Sequence, residues 1–173
     1  MFSKYELLYL IKILDYYEQG LVRIIEYYIN TYTFEYNTEL KQTVDIWCND
    51  NTRTKCELQY GLIEYWGCFK ITDMHSLFDN KLRFQANISR WDVSNVTNMS
   101  CMFNHTYNFN QPLNNWNVSN VTNMFRMFNY SVYFNKPLDS WDVVNVTNMD
   151  GMFYFRNKIN KYHKLNRYLN DWK

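Results

Sequence analysis

Trp66, Trp91, Trp116 and Trp141 stand twenty-five residues apart, and each is followed five positions later by a version of one octet: ITDMHSLF, VTNMSCMF, VTNMFRMF, VTNMDGMF. A fixed period of this length is the signature of a solenoid. The period restricts architecture far more tightly than it restricts biochemical role.

Self-alignment separates apolar slots from variable ones. Ile71, Val96, Val121 and Val146 share a slot, as do Met74, Met99, Met124 and Met149, then Leu77, Met102, Met127 and Met152. Phe78, Phe103, Phe128 and Phe153 close the octet, and Phe84, Phe109 and Phe134 supply a second aromatic row. Ile88, Leu113 and Leu138 lead into the next Trp, and Cys68, Val93, Val118 and Val143 follow two residues after it. Eight apolar slots are too few to offset the ordering of twenty-five residues, so one coil is not expected to fold alone; stacked coils bury each other's faces.

Local chemistry suggests a path for each coil. Apolar, polar, apolar alternation in residues 91–93, 116–118 and 141–143 predicts a short strand. Thr72, Thr97, Thr122 and Thr147 stand where a hydroxyl caps a short helix carrying two Met and the Phe. Asn95, Asn120 and Asn145 fall at the turn between them, where a short amide satisfies loose backbone groups. Pro112 and Pro137 mark an extended return segment. The expected fold class is an α/β repeat solenoid, with short parallel strands and short helices in each 25-residue coil.

Outside the repeats the pattern is helical. Ser3 and Glu6 form a capping box ahead of Leu7, Leu10, Ile11 and Leu14, and Leu21, Ile24, Ile25 and Tyr28 continue the spacing beyond Gly20. The expected organisation is a helical hairpin over 1–37 and a solenoid over 38–155, opened by a capping helix over 38–62 that buries Leu40, Val44 and Trp47. A C-terminal capping helix over 156–173 then presents Ile159, Tyr162, Leu165, Leu169 and Trp172 on one face.

The repeat FNQPLNNWNVSNVTNMFRMF resembles those of the BspA-like surface-protein family, first met in mollicutes and abundant in giant viruses and some protists. Residues 39–66, ELKQTVDIWCNDNTRTKCELQYGLIEYW, are similar to that family's opening segment. The resemblance spans about residues 39–155 and implies a leucine-rich-repeat-like solenoid with an interaction role and no catalytic motif. The first coil departs most, with Trp66-Gly67-Cys68-Phe69-Lys70 in place of Trp-Asp-Val-Ser-Asn, which suits a capping coil.

Enzymatic chemistry finds no foothold. His75, His105 and His163 align with nothing repeated, and no triad, HExxH or phosphate-loop pattern occurs. Asp92, Asn117 and Asp142 share a slot that could form an acidic row, but turn and strand-edge bonding is the favoured reading. Cys48, Cys56, Cys68 and Cys101, spaced 8, 12 and 33 apart, match no common zinc or disulfide framework. No cofactor or metal is expected. Eight Asn-x-Ser/Thr sequons are explained by the repeat without sugar.

Glu6, Lys12 and Asp15 interrupt the most apolar stretch, which argues against both a membrane span and a secretory signal. One alanine against many Asn, Tyr, Ile, Lys and Phe points to an AT-rich genome, and a giant virus of protists fits, with the host cytoplasm as the expected location. The overall charge of +1 hides a head of −4 over 1–65 and a tail of +5 over 156–173.

Partner binding is therefore expected on the outward variable slots: His75, Ser100, Phe125 and Asp150 in one, Ser76, Cys101, Arg126 and Gly151 in the next. Phe125 and Arg126 are the leading anchors, since aromatic and Arg side chains dominate interface energetics. The expected partner is a protein. Two rival readings are a nucleic-acid or anionic-membrane protein acting through Lys158, Lys161, Lys164 and Arg167, and a surface adhesin. The opposed end charges also allow head-to-tail self-association.

Overall fold

A computed structural model describes residues 32–154. Residues one period apart lie side by side: parallel bridges join Asp73 to Asn98, Asn98 to Asn123 and Asn123 to Asn148. The ladder extends past each bridge, with Met74, Ser76, Phe78 and Asn80 donating N–H groups to the carbonyls of Asn98, Ser100, Met102 and Asn104.

The contact between coils therefore runs through the octet, where a helix was expected, and the Trp-x-Val segments form no bridge. Two local choices explain the exchange. In the Trp-x-Val segments, the Oδ1 atoms of Asp92, Asn117 and Asp142 accept the N–H two residues on, and Val96, Val121 and Val146 donate to the carbonyls of Val93, Val118 and Val143. The chain turns there instead of extending beside its neighbour. In the octet, Ser76, Cys101 and Arg126 take positive φ of 53°, 55° and 51°, and Gly151 takes 65°. A left-handed residue cannot continue an α-helix, so the segment becomes a series of turns, with Leu77, Met102 and Met127 bonding back three residues while alternate N–H groups reach the next coil. The threonines do not cap: Thr97, Thr122 and Thr147 donate their hydroxyls to the carbonyls of Thr72, Thr97 and Thr122.

The core occupies the predicted slots. Trp66, Trp91, Trp116 and Trp141 are all buried. The Trp91, Trp116 and Trp141 indoles donate to the carbonyls of Ile88's row: Ile63, Ile88 and Leu113, at 2.7, 3.2 and 2.9 Å. Phe78, Phe103, Phe128 and Phe153 stack with centroids 5.3 to 5.4 Å apart, and Phe84, Phe109 and Phe134 interleave at 4.0 to 4.2 Å from the first row. Asn95, Asn120 and Asn145 each donate to a carbonyl of the preceding coil, Phe69, Ser94 and Ser119, at 2.7 Å.

The lead-in to the stack is two helices where one was expected over 38–62: α1 (Asn37–Trp47) and α2 (Arg53–Tyr60). The Thr52 hydroxyl bonds the Ile46 carbonyl at 2.6 Å and Asn49 Oδ1 accepts the Asn51 N–H, which closes α1 and turns the chain. Leu40, Val44 and Trp47 are buried as the spacing predicts. Residues 32–34 add a rung before the first coil: Thr33 bridges Gly67, with Phe34 N–H to Gly67 O at 3.0 Å and Gly67 N–H to Tyr32 O at 2.8 Å. A Cβ on residue 67 would meet Thr33 Oγ1 at 2.6 Å, which accounts for Gly where later coils carry Asp or Asn. The Tyr32 hydroxyl donates to the Glu39 carboxylate, and that bond pushes the phenol up to about 12. Asn37 Oδ1 accepts the N–H groups of Thr72 and Asp73 at 3.1 and 3.3 Å, standing in for a preceding coil. The expected hairpin lies outside the described residues over 1–31, as does the expected C-terminal helix.

Candidate functional site

Asp73, Asn98, Asn123 and Asn148 each accept, through Oδ1, the N–H two residues further on, and this repeated turn positions the variable slots. The first slot is not uniform. His75 is exposed, but Ser100 is 5 % exposed and serves as a buried link: its hydroxyl donates to Asn98 Oδ1 at 2.7 Å and lies 2.8 Å from His75 Nδ1. Ser100 therefore does not face outward as expected. A small hydroxyl is drawn inward because the turn carbonyl oxygen and the neighbouring imidazole together satisfy it. Phe125 is half-buried and Asp150 exposed.

In the second slot Arg126 is exposed and folds back on its neighbour, with the guanidinium carbon 4.9 Å from the Phe125 ring centroid. Its stem crosses Gly151, where a Cβ would come within 3.3 Å of Arg126 Cγ. Cys101 is half-buried, and burial raises its thiol pKa. Cys68 is buried, and desolvation raises it further.

A polar row was missed. Asn104 Nδ2 donates to Asp79 Oδ1 at 2.8 Å and Asn129 Nδ2 to Asn104 Oδ1 at 2.7 Å. The row stops at Tyr154, and Asn129 Oδ1 is buried without a hydrogen-bond partner among the described residues. The 25-residue spacing of Asp79, Asn104 and Asn129 was the available signal. Beside it, His105 stacks on Tyr130 at 4.5 Å, and the exposed Tyr107 and Tyr133 meet edge to face at 5.2 Å.

Among the described residues no three His, Cys, Asp or Glu side chains gather as metal ligands, and no helix is long and apolar enough to cross a membrane. Asp92, Asn117 and Asp142 are committed to turns. Lys158, Lys161, Lys164 and Arg167 lie outside the described residues.

Registered bonds between residues one period apart, with side chains varied over a constant frame, define a repeat protein. The chain belongs to the family described as Mycoplasma protein of unknown function, DUF285, which it matches over residues 47–172. No curated protein and no solved structure matches it.

Proposed function

We propose that this chain is a non-enzymatic protein-interaction module of the BspA-like kind, with a leucine-rich-repeat-like solenoid as its scaffold. The observation that carries the reading is the Phe125–Arg126 pair, a partly exposed ring under a guanidinium, held on a frame whose other slots are fixed by packing and by ladder bonds. An aromatic and an Arg already restrained against each other lose little freedom when a partner covers them. His75 and Asp150 lie in the same slot of the first and last coils and add polar, hydrogen-bonding side chains to the row.

The test is affinity capture from native cells with the intact chain and with a Phe125→Ala/Arg126→Ala double variant of unchanged melting temperature. Loss of a captured protein with the variant supports this face as the binding surface. Retention of every captured protein overturns it.

A further inference from the structure

An open groove of about 490 Å³ separates the helical lead-in from the first return segment, with Trp47, Cys48, Asp50 and Arg53 on one wall and Asn80 to Ala86 on the other. Its floor is apolar, where the rings of Trp47 and Phe84 meet at 5.9 Å, and Leu82 stands exposed at its lip.

Later coils show what is missing here. Asn108 N–H donates to Leu82 O at 3.2 Å, and Tyr133 N–H donates to Tyr107 O at 3.2 Å, so each return segment leans on the carbonyl of the one before. Arg83 occupies the same slot in the first coil, and its N–H has no partner among the described residues. Among the described residues no rung receives it, and the groove lies in that place.

Charge selects what can enter. Of the four charged side chains lining the groove, Asp50, Arg53, Lys81 and Arg83, three are cations. Arg53 is held by Asp50 at 2.8 Å and Lys81 by Asp45 at 2.6 Å, which leaves Arg83 as the lining cation without an ion pair among the described residues.

We infer that this groove receives an extended acidic segment of a partner protein as an added rung. A carbonyl of that segment accepts the Arg83 N–H, one of its carboxylates pairs with the Arg83 guanidinium, and an apolar side chain covers Leu82 and Phe84. Main-chain bonding at an open edge supplies affinity while alternate side chains supply selectivity.

The probe is a fluorescein-labelled octapeptide of alternating glutamate and leucine, titrated into the intact chain by fluorescence anisotropy, with a lysine–leucine octapeptide as control. The acidic peptide binds and the basic one does not; Arg83→Glu weakens binding at least tenfold without moving the melting temperature; Arg126→Ala leaves it unchanged. Hydrogen exchange at the Arg83 amide slows at least tenfold when the acidic peptide is bound. Equal binding of both peptides, binding of neither, insensitivity to Arg83→Glu, equal loss with Arg126→Ala, or unaltered exchange at Arg83 would each overturn the proposal.

Discussion

The Trp116 indole N–H donates to the Ile88 carbonyl at 3.2 Å, twenty-eight residues back along the chain and one coil away. The bond fixes the ring that fills the centre of the stack, so packing and polar satisfaction fall on one side chain. Trp116→Ala removes both and is expected to cost about 3 to 5 kcal/mol. Trp116→Phe keeps most of the volume and removes one of the two bonds to the Ile88 carbonyl, which still accepts the Trp91 N–H, at about 0.5 to 1.5 kcal/mol. Urea unfolding measures both, and a loss below about 1 kcal/mol for the alanine variant would contradict this assignment.

Asn104 both donates and accepts within the Asp79–Asn104–Asn129 row, and Asn129 is buried. Asn104→Ala strands the Asn129 amide, with an expected loss of about 1 to 3 kcal/mol by chemical denaturation. The exposed Asn115, outside the row, serves as the control, and its alanine variant stays within about 0.5 kcal/mol of the parent.

Gly67 faces Thr33 closely enough that Gly67→Ala forces the preceding rung to move. The expected cost is about 1 to 3 kcal/mol. Thr33→Gly in the same chain recovers part of that loss, so the two substitutions couple in a double-mutant cycle. Strictly additive losses would show that the rung is not held there.

The left-handed backbone at Cys101 predicts opposite outcomes for two small changes. Cys101→Gly is neutral or stabilising by up to about 1 kcal/mol, because glycine adopts positive φ without penalty. Cys101→Val costs about 1 to 2 kcal/mol from backbone sterics alone. Thermal melts that rank valine above glycine would refute the conformation.

Burial pushes the thiols of Cys48 and Cys56 up to about 11 from an ordinary value of 9.0. Above that ordinary value the unfolded chain releases protons that the folded chain keeps, so stability falls as pH rises. The contribution is whole below pH 9 and is lost as pH rises through about 11. Urea midpoints taken across this window should decline, and Cys56→Ala should decline less steeply. A midpoint level from pH 8 to 11 would be the contrary result.

The buried slots were legible because a 25-residue period tests each position several times: no single Met or Phe identifies a core, but four in register do. The path of the backbone was not. Met, Met and Phe at helical spacing also fit a series of turns, and the deciding residues, Ser76, Cys101 and Arg126, have side chains that do not announce positive φ as Gly151 does. The threonine hydroxyls were assigned to a helix end and serve the neighbouring coil instead, because their acceptors lie twenty-five residues away and local propensity is blind to them. At the candidate surface, Phe125 and Arg126 stand out as anchors by residue type alone, whereas their mutual contact and the burial of Ser100, on whose hydroxyl Asn98 and His75 converge, required the folded structure.

Positive φ at 76, 101, 126 and 151 makes diversification of this surface lopsided. Valine and isoleucine are effectively barred from those four places, while 75, 125 and 150, one step earlier, accept any residue that keeps its N–H for the turn. A combinatorial library randomised at the earlier trio, with the later four kept as they are or replaced by glycine or asparagine, would yield folded clones far more often than the reverse scheme.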